Sequence, residues 1–296
     1  MKTIELSLSP KYVSGWGVEE AVREILQNAI DQKADGAEVS VSYDRETLSI
    51  LTDGARLKTS TLLLGESGKD DERYIGKYGE GYKLALLVLT RERKPVKVVT
   101  DAETWTPEFR LSETFGEESL QIDVEETGVP GGEFTEFRIG GISPAMMRSF
   151  GDRFIALERF MGRDIGAKRE SEYGTIMLES RYKGKFYVGG LFVQEDTGFA
   201  YGYDFLPEHV SLDRDRKAIN HYELKELTAR ALTSCGDVSL LVNSLGEKHL
   251  DVSDASAVLD EIDEDQCEGF KRYYFEKNGL DEGTFCLLYT SDAADE

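Results

Sequence analysis

Between residues 18 and 34, Val18, Ala21, Val22, Ile25, Leu26, Ala29 and Ile30 recur at intervals of three and four. That spacing lays them along one broad side of an α-helix, so the segment is predicted to be amphipathic. Further helices are predicted over 82–90, over 143–160 with Ser143 as N-cap and Pro144 in the first turn, and over about 222–233. Period-two alternation predicts strands at the start of the chain and over 47–52, 96–100, 104–111, 119–124 and 134–139, with Pro107 marking a bend or an edge. More strand-like runs follow over 174–178, 184–194 and 199–205. Gly140-Gly141 reads as a boundary. The expected organisation is a first domain over 1–142, with a sheet covered on one face by helices, then a smaller β-rich α/β domain over 143–250 and a helical appendage over 251–285.

A length of 296 residues accommodates two such domains. The net charge of −22 argues against a general nucleic-acid-binding surface, which needs clustered Lys and Arg. The acidic excess concentrates in 251–285, with eleven acids against three bases, and reads as a solvated appendage or a partner face. No apolar run approaches the roughly 18 residues that span a bilayer, and the start lacks a signal-peptide core, so no membrane partner is expected. Cys235, Cys267 and Cys286 have neither metal-ligand spacing nor a disulfide framework, and a reducing cytoplasm is the expected location. Residues 286–296 resemble the conceptual translation of a sequencing adapter; on that reading they carry no function, and setting aside their three acids leaves a charge of −19.

Candidate chemistry enters with the other side of the first helix. Glu24, Asn28 and Asp31 stand at i, i+4 and i+7 and form a narrow stripe. A carboxylate can take a proton from water, and an amide oxygen can bind a hard cation such as Mg²⁺. Alone, the stripe also fits an ordinary solvated helix face. Downstream, Gly76, Gly79 and Gly81 run into the apolar helix that starts at Tyr82. Glycines permit close approach of a ligand to the backbone, and the free N–H groups of a first helical turn favour an anion. A flexible loop entering a helix is the plainer alternative. Two other phosphate motifs are excluded. The P-loop pattern around Gly68-Lys69 has Leu63 where its first glycine belongs and Asp70 where Ser or Thr belongs, and the dinucleotide fingerprint fails at Leu84.

Together, in order and spacing, these segments resemble the GHKL ATPase superfamily of gyrase, heat-shock chaperone, histidine kinase and MutL type. That family carries Glu-x-x-x-Asn-x-x-Asp on one helix, Asp-x-Gly-x-Gly at a strand end, a lid, and Gly-x-Phe/Tyr-Gly-x-Gly before a second helix. The match covers residues 18–90. The resemblance implies an α+β fold, the two-layer α/β sandwich of Bergerat type, with ATP and Mg²⁺ as ligands. It implies Glu24 as the general base, Asn28 as the Mg²⁺ ligand with Asp31 beside it, and Gly76, Tyr78, Gly79, Glu80 and Gly81 as the phosphate loop. Lys83 either reaches a phosphate or is a solvated helix lysine. The middle motif departs from the family: with Gly54 aligned to its first glycine, Thr52 falls at the aspartate position and Arg56 at the second glycine. Asp53, beside Gly54, is assigned the adenine contact by a local shift; the alternative is weaker recognition of the base. Residues 65–74 look like the lid. Arg214, Arg216 and Lys217 are candidates for reaching the γ-phosphate from the second domain, against a plain salt-bridged loop. The leading expectation is a slow Mg²⁺-dependent ATPase that binds ATP and ADP and couples lid closure to the second domain, with a homodimer or a protein client as further partner. A nucleotide-gated interaction module with little turnover is an alternative. A histidine-kinase-like phosphotransferase is another, although His209, His221 and His249 lie in no phosphoacceptor helix.

Overall fold

The computed structural model describes residues 1–62, 81–127, 131–211, 218–246, 249–252 and 264–279. They form a mixed α/β structure with two sheets, and the chain divides into two compact units. The first unit is Met1–Ile165 with Gly189–Leu191. Its strands are β1 (Lys2–Leu6), β2 (Glu38–Asp44), β3 (Thr47–Asp53), β4 (Val96–Thr100), β5 (Glu103–Leu111), β6 (Glu118–Glu126) and β7 (Phe134–Ile139). Its helices are α1 (Val18–Ala34), α2 (Gly81–Arg91), α3 (Pro144–Arg153) and α4 (Ile155–Phe160).

The seven strands follow the order β1-β6-β5-β4-β7-β3-β2, and each neighbouring pair is antiparallel. Strand alternation puts one set of side chains on a single face. Cross-strand register lines up Ile50, Phe137, Val98, Trp105 and Val124 as one row across that face. The row belongs to the same apolar core as Ala21, Val22, Ile25 and Leu26 of α1 and Ala85, Leu86 and Leu89 of α2. Burying the apolar side of each helix against this sheet offsets the entropy of ordering it.

Local contacts fix where α1 starts. The Glu20 carboxylate accepts from the Gly17 backbone N–H at 2.8 Å. Arg91, in the last turn of α2, donates to the carbonyls of Pro10, Tyr12, Val13 and Trp16, so the loop before α1 is tied to the end of α2. The expected helix over 143–160 forms as two, broken at Phe154, whose φ of −131° and ψ of 80° leave the helical region. Ser143 Oγ accepts from Met146 N, as a cap should. Ile142, Met147, Phe150, Phe154 and Leu157 pack into the first core, so the packing division falls after Ile165 and not at the Gly140-Gly141 boundary expected from sequence.

The second unit carries β8 (Lys168–Ser171), β9 (Gly174–Met177), β10 (Lys185–Val188), β11 (Leu191–Glu195), β12 (Gly202–Phe205), α5 (His221–Ser234), α6 (Val238–Gly246) and α7 (Glu264–Asn278). Its sheet order is β11-β10-β12-β9-β8, with β10 parallel to β12. The single strand expected over 184–194 is two strands, reversed at Gly189 and Gly190, which both have positive φ (58° and 82°). Two consecutive positive-φ residues are what a tight hairpin turn needs. Phe186, Tyr203 and Phe205 pack beneath Leu224, Leu227 and Ala231 of α5. A buried carboxylate, Asp251, accepts from Ala200 N at 2.7 Å, from Tyr201 N and from the Tyr203 hydroxyl, and so pins the turn after α6 to this core.

Candidate functional site

The polar stripe of α1 is where the sequence expectation and the packing meet. Its helical spacing is as anticipated, but its surroundings are not those of a solvated face. Asp31 is 1% exposed, and Glu24 and Asn28 are half-buried. The Asn28 amide nitrogen donates to the Glu24 carbonyl oxygen at 3.0 Å, which leaves the amide oxygen as the end turned away from the helix backbone. Gln27 belongs to the same stripe, three residues after Glu24 and four before Asp31, and is also 1% exposed. Its Oε1 is a buried acceptor with no hydrogen-bond partner among the described residues. The sequence reading passed over it, although its i+3 spacing from Glu24 was the available signal.

The Glu24 carboxylate lies directly against the start of α2. A Cβ built on Gly81 would stand 2.1 Å from Glu24 Oε2 and 3.1 Å from its Cδ. Any side chain there would collide with the carboxylate, so glycine at this position is what lets α1 and α2 come together with an acid between them. Of the other expected loop residues, Gly76, Tyr78, Gly79 and Glu80 lie outside the described residues, as does the expected lid over 65–74.

The first turn of α2 is otherwise enclosed. The Tyr82 hydroxyl stands 2.8 Å from Thr61 Oγ1 and donates to Thr61 O at 2.7 Å. Burial pushes its phenol up to about 12, with the Thr61 hydrogen bond pulling weakly the other way. Lys83 is fully buried and engaged, so the solvated-lysine alternative does not hold. A buried ammonium needs compensating partners.

At the far end of β3 the structure separates two residues that the sequence left side by side. Leu48, Ile50 and Thr52 are buried on the face that packs under α1, whereas Asp53 is exposed. Alternation turns Asp53 to the opposite side of the strand, so it is not brought to α1. Gly54 follows at φ +93° and donates its N–H to Glu133 O at 2.6 Å, which turns the chain sharply. Thr52, Thr135 and Thr100 then form a row across β3, β7 and β4 by register, and all three are buried. Two of them hold the loop that leaves Gly54. Leu57 N donates to Thr100 Oγ1 at 3.0 Å and to Thr135 Oγ1 at 3.1 Å, and Thr135 donates to Ala55 O at 3.1 Å. Arg56 sits on the outer rim and pairs with Asp101 at 2.9 Å and Glu133 at 3.3 Å. Thr52 itself is paired in the backbone ladders, opposite Val39 of β2 and Thr135 of β7.

Among the described residues no group of three or more His, Cys, Asp and Glu gathers as a metal cluster. Nor is any helix there long and apolar enough to cross a membrane. Arg214, Arg216 and Lys217 lie outside the described residues.

No protein-family model matches the chain. It is similar to an uncharacterized protein of Mycoplasma pneumoniae, 27% identical over 235 residues, a match that covers 74% of this chain and 92% of that protein.

Proposed function

We propose that the first unit is a GHKL-type, Bergerat-fold nucleotide-binding domain that takes ATP with Mg²⁺ and hydrolyses it. The observation that carries this reading is the Glu24 carboxylate packed against Gly81 at the head of α2. A general base and an anion-favouring helix start are brought together, and a glycine is what makes room for them. The order of the motifs along the chain, the antiparallel sheet under both helices and the burial of the α1 stripe support the same reading.

The residues present fit the ligand. The head of α2 and the glycine turn before it would face the phosphates, with the helix dipole favouring their charge. The Asn28 oxygen would offer a single hard donor to the cation, which suits an ion that keeps several waters and takes phosphate oxygens as its remaining ligands. Mg²⁺ supplies neutralisation of phosphate charge when bound. Glu24 would take the proton from the attacking water at its carboxylate, which occupies the room that Gly81 leaves. Asp31 and Gln27, buried on the same stripe, would keep that side of the helix polar and ordered.

The test is a calorimetric titration with Mg·ATP and Mg·ADP followed by phosphate release. A positioned base contributes roughly 10²–10⁴-fold in rate. Glu24→Gln should therefore leave nucleotide affinity within a few-fold while release falls by about that factor, and Asn28→Ala should weaken binding only when Mg²⁺ is present. Absence of any nucleotide binding would end the proposal. Binding with no release above the Glu24→Gln background would make the unit a nucleotide-gated module, and label from the γ-phosphate on the protein would make it a phosphotransferase.

A further inference from the structure

We infer that Gln27 is a second catalytic residue of this unit: its side-chain oxygen and the Glu24 carboxylate hold the attacking water between them. The inference rests on the nucleotide-hydrolysing reading of this unit and adds a residue to its chemical step.

Three buried side-chain atoms have no hydrogen-bond partner among the described residues: Gln27 Oε1, Thr127 Oγ1 and Ser244 Oγ. The two hydroxyls carry a proton of their own, whereas an amide oxygen can only accept, so Gln27 needs a donor from outside itself. Gln27 is 1% exposed, and leaving an acceptor unpaired at such depth is unfavourable. Its place on α1 points to where the missing donor belongs. Gln27 follows Glu24 by three residues, the spacing at which side chains on a helix are neighbours, roughly 5–6 Å apart at Cβ. Helical side chains lean toward the N-terminus, so Gln27 lies over the turn that carries Glu24. The Glu24 carboxylate in turn sits against the head of α2, where a Cβ on Gly81 would stand 2.1 Å from its Oε2. The unpaired oxygen and the acid thus border the same part of the stripe.

Two acceptors side by side call for a molecule that donates twice, and water is one. With one hydrogen given to Glu24 and the other to Gln27, the lone pairs of the water are turned away from both, toward the phosphate that the head of α2 favours. One acceptor leaves a water free to swing about that bond; two fix its orientation. On attack the water oxygen bonds to the terminal phosphorus, and the bond from phosphorus to the bridging oxygen breaks, its electron pair leaving with the diphosphate. Glu24 takes one proton, and the hydrogen held by Gln27 stays on the released phosphate as its hydroxyl. Gln27 is thus a group that orients the nucleophile and takes no proton.

The full chain and its variants are compared by phosphate release from Mg·ATP, by calorimetry with a non-hydrolysable ATP analogue, and by thermal unfolding without nucleotide. Gln27→Met keeps the length of the side chain and removes the unpaired oxygen. It should leave analogue affinity nearly unchanged and keep or raise the melting temperature, because no buried acceptor is then left unpaired. Its kcat should fall on the order of 10²-fold with KM nearly constant, since the nucleophile loses its fixed orientation. Gln27→Glu presents an acceptor oxygen in either protonation state and should recover most of that turnover. Residues that hold one water act as a unit, so Gln27→Met added to Glu24→Gln should cost at most about a few-fold beyond Glu24→Gln alone. Unchanged kcat in Gln27→Met, equal losses in Gln27→Met and Gln27→Glu, or losses that multiply in the double variant would each overturn the inference while leaving nucleotide hydrolysis intact. Failure of the wild type to bind the analogue or to release phosphate would instead remove the reading on which it rests.

Discussion

At the scale of single residues, Gly81 and Glu24 make the sharpest case. The atom a Gly81→Ala methyl would strike is the far end of a flexible side chain, so the fold can give way at little cost while the carboxylate cannot stay where it is. Displacing a catalytic group by about 1 Å costs on the order of 10²-fold. Gly81→Ala should therefore lower phosphate release by about that factor, with the melting temperature and nucleotide affinity nearly unchanged; unchanged turnover would mean that Glu24 is not the base. Asp251 gives a contrasting case in the second unit, where a carboxylate serves structure. Asp251→Ala strands the buried N–H of Ala200 and the hydroxyl of Tyr203, and should cost about 3 kcal/mol or more in denaturant unfolding of that unit. Both residues are acidic and at least half-buried, so residue type alone could not have told the two roles apart.

At the scale of elements, the edge strand β1 is held by side chains as well as by its ladder. Thr3 Oγ1 donates to Asp123 Oδ1 at 2.7 Å, Arg110 pairs with the same carboxylate, and Ser119 donates to Glu5 at 2.8 Å. The Arg110 guanidinium, with Thr3, holds the Asp123 carboxyl down at about 2, and Ser112 and Ser119 lower that of Glu5. Both native values are depressed, so their contribution is present above the ordinary carboxylate range, near pH 4, and is lost as pH falls toward about 2. Acid titration should release β1 before the sheet centre, seen as early loss of hydrogen-exchange protection in residues 2–6. Asp123→Asn should flatten that acid limb; an unchanged limb would place the sensitivity elsewhere. Much at this scale was legible in the sequence: α1, β4, β7 and the Ser143 cap follow from periodicity and end signals. What escaped had competing signals. The helix break at Phe154 and the Gly189-Gly190 reversal interrupt runs whose hydrophobic pattern continues through them. Asp53 was chosen for its chemistry, whereas the pleat assigns the buried position to its neighbour. The burial of Gln27, Asp31 and Lys83 is a tertiary fact, because a polar stripe reads the same whether water or protein covers it.

For the whole molecule, charge sets the long-range terms. A chain at −22 repels an anionic nucleotide before any local contact forms. Because the Debye length shortens from about 30 Å at 0.01 M to about 8 Å at 0.15 M, nucleotide affinity should rise over that interval. A fall would show that local cationic contacts outweigh the global field, and either result reads directly from titrations at the two salt concentrations. Saturating nucleotide should also raise stability by about 2.7 kcal/mol at a hundredfold excess over the dissociation constant, visible as a melting shift of the first unit. The strand order of that unit has a further consequence, in time. During synthesis β2 and β3 can pair as soon as they emerge, and β4, β5 and β6 as a second group that β1 joins from far upstream. The two groups meet only through β7, which lies between β3 and β4. Until residues 134–139 leave the ribosome, the sheet is two unjoined pieces, and the threonine row shared by β3, β7 and β4 does not yet exist. A chain that stalls before β7 is therefore left with two open strand edges, a brief aggregation hazard that ends when one six-residue strand arrives.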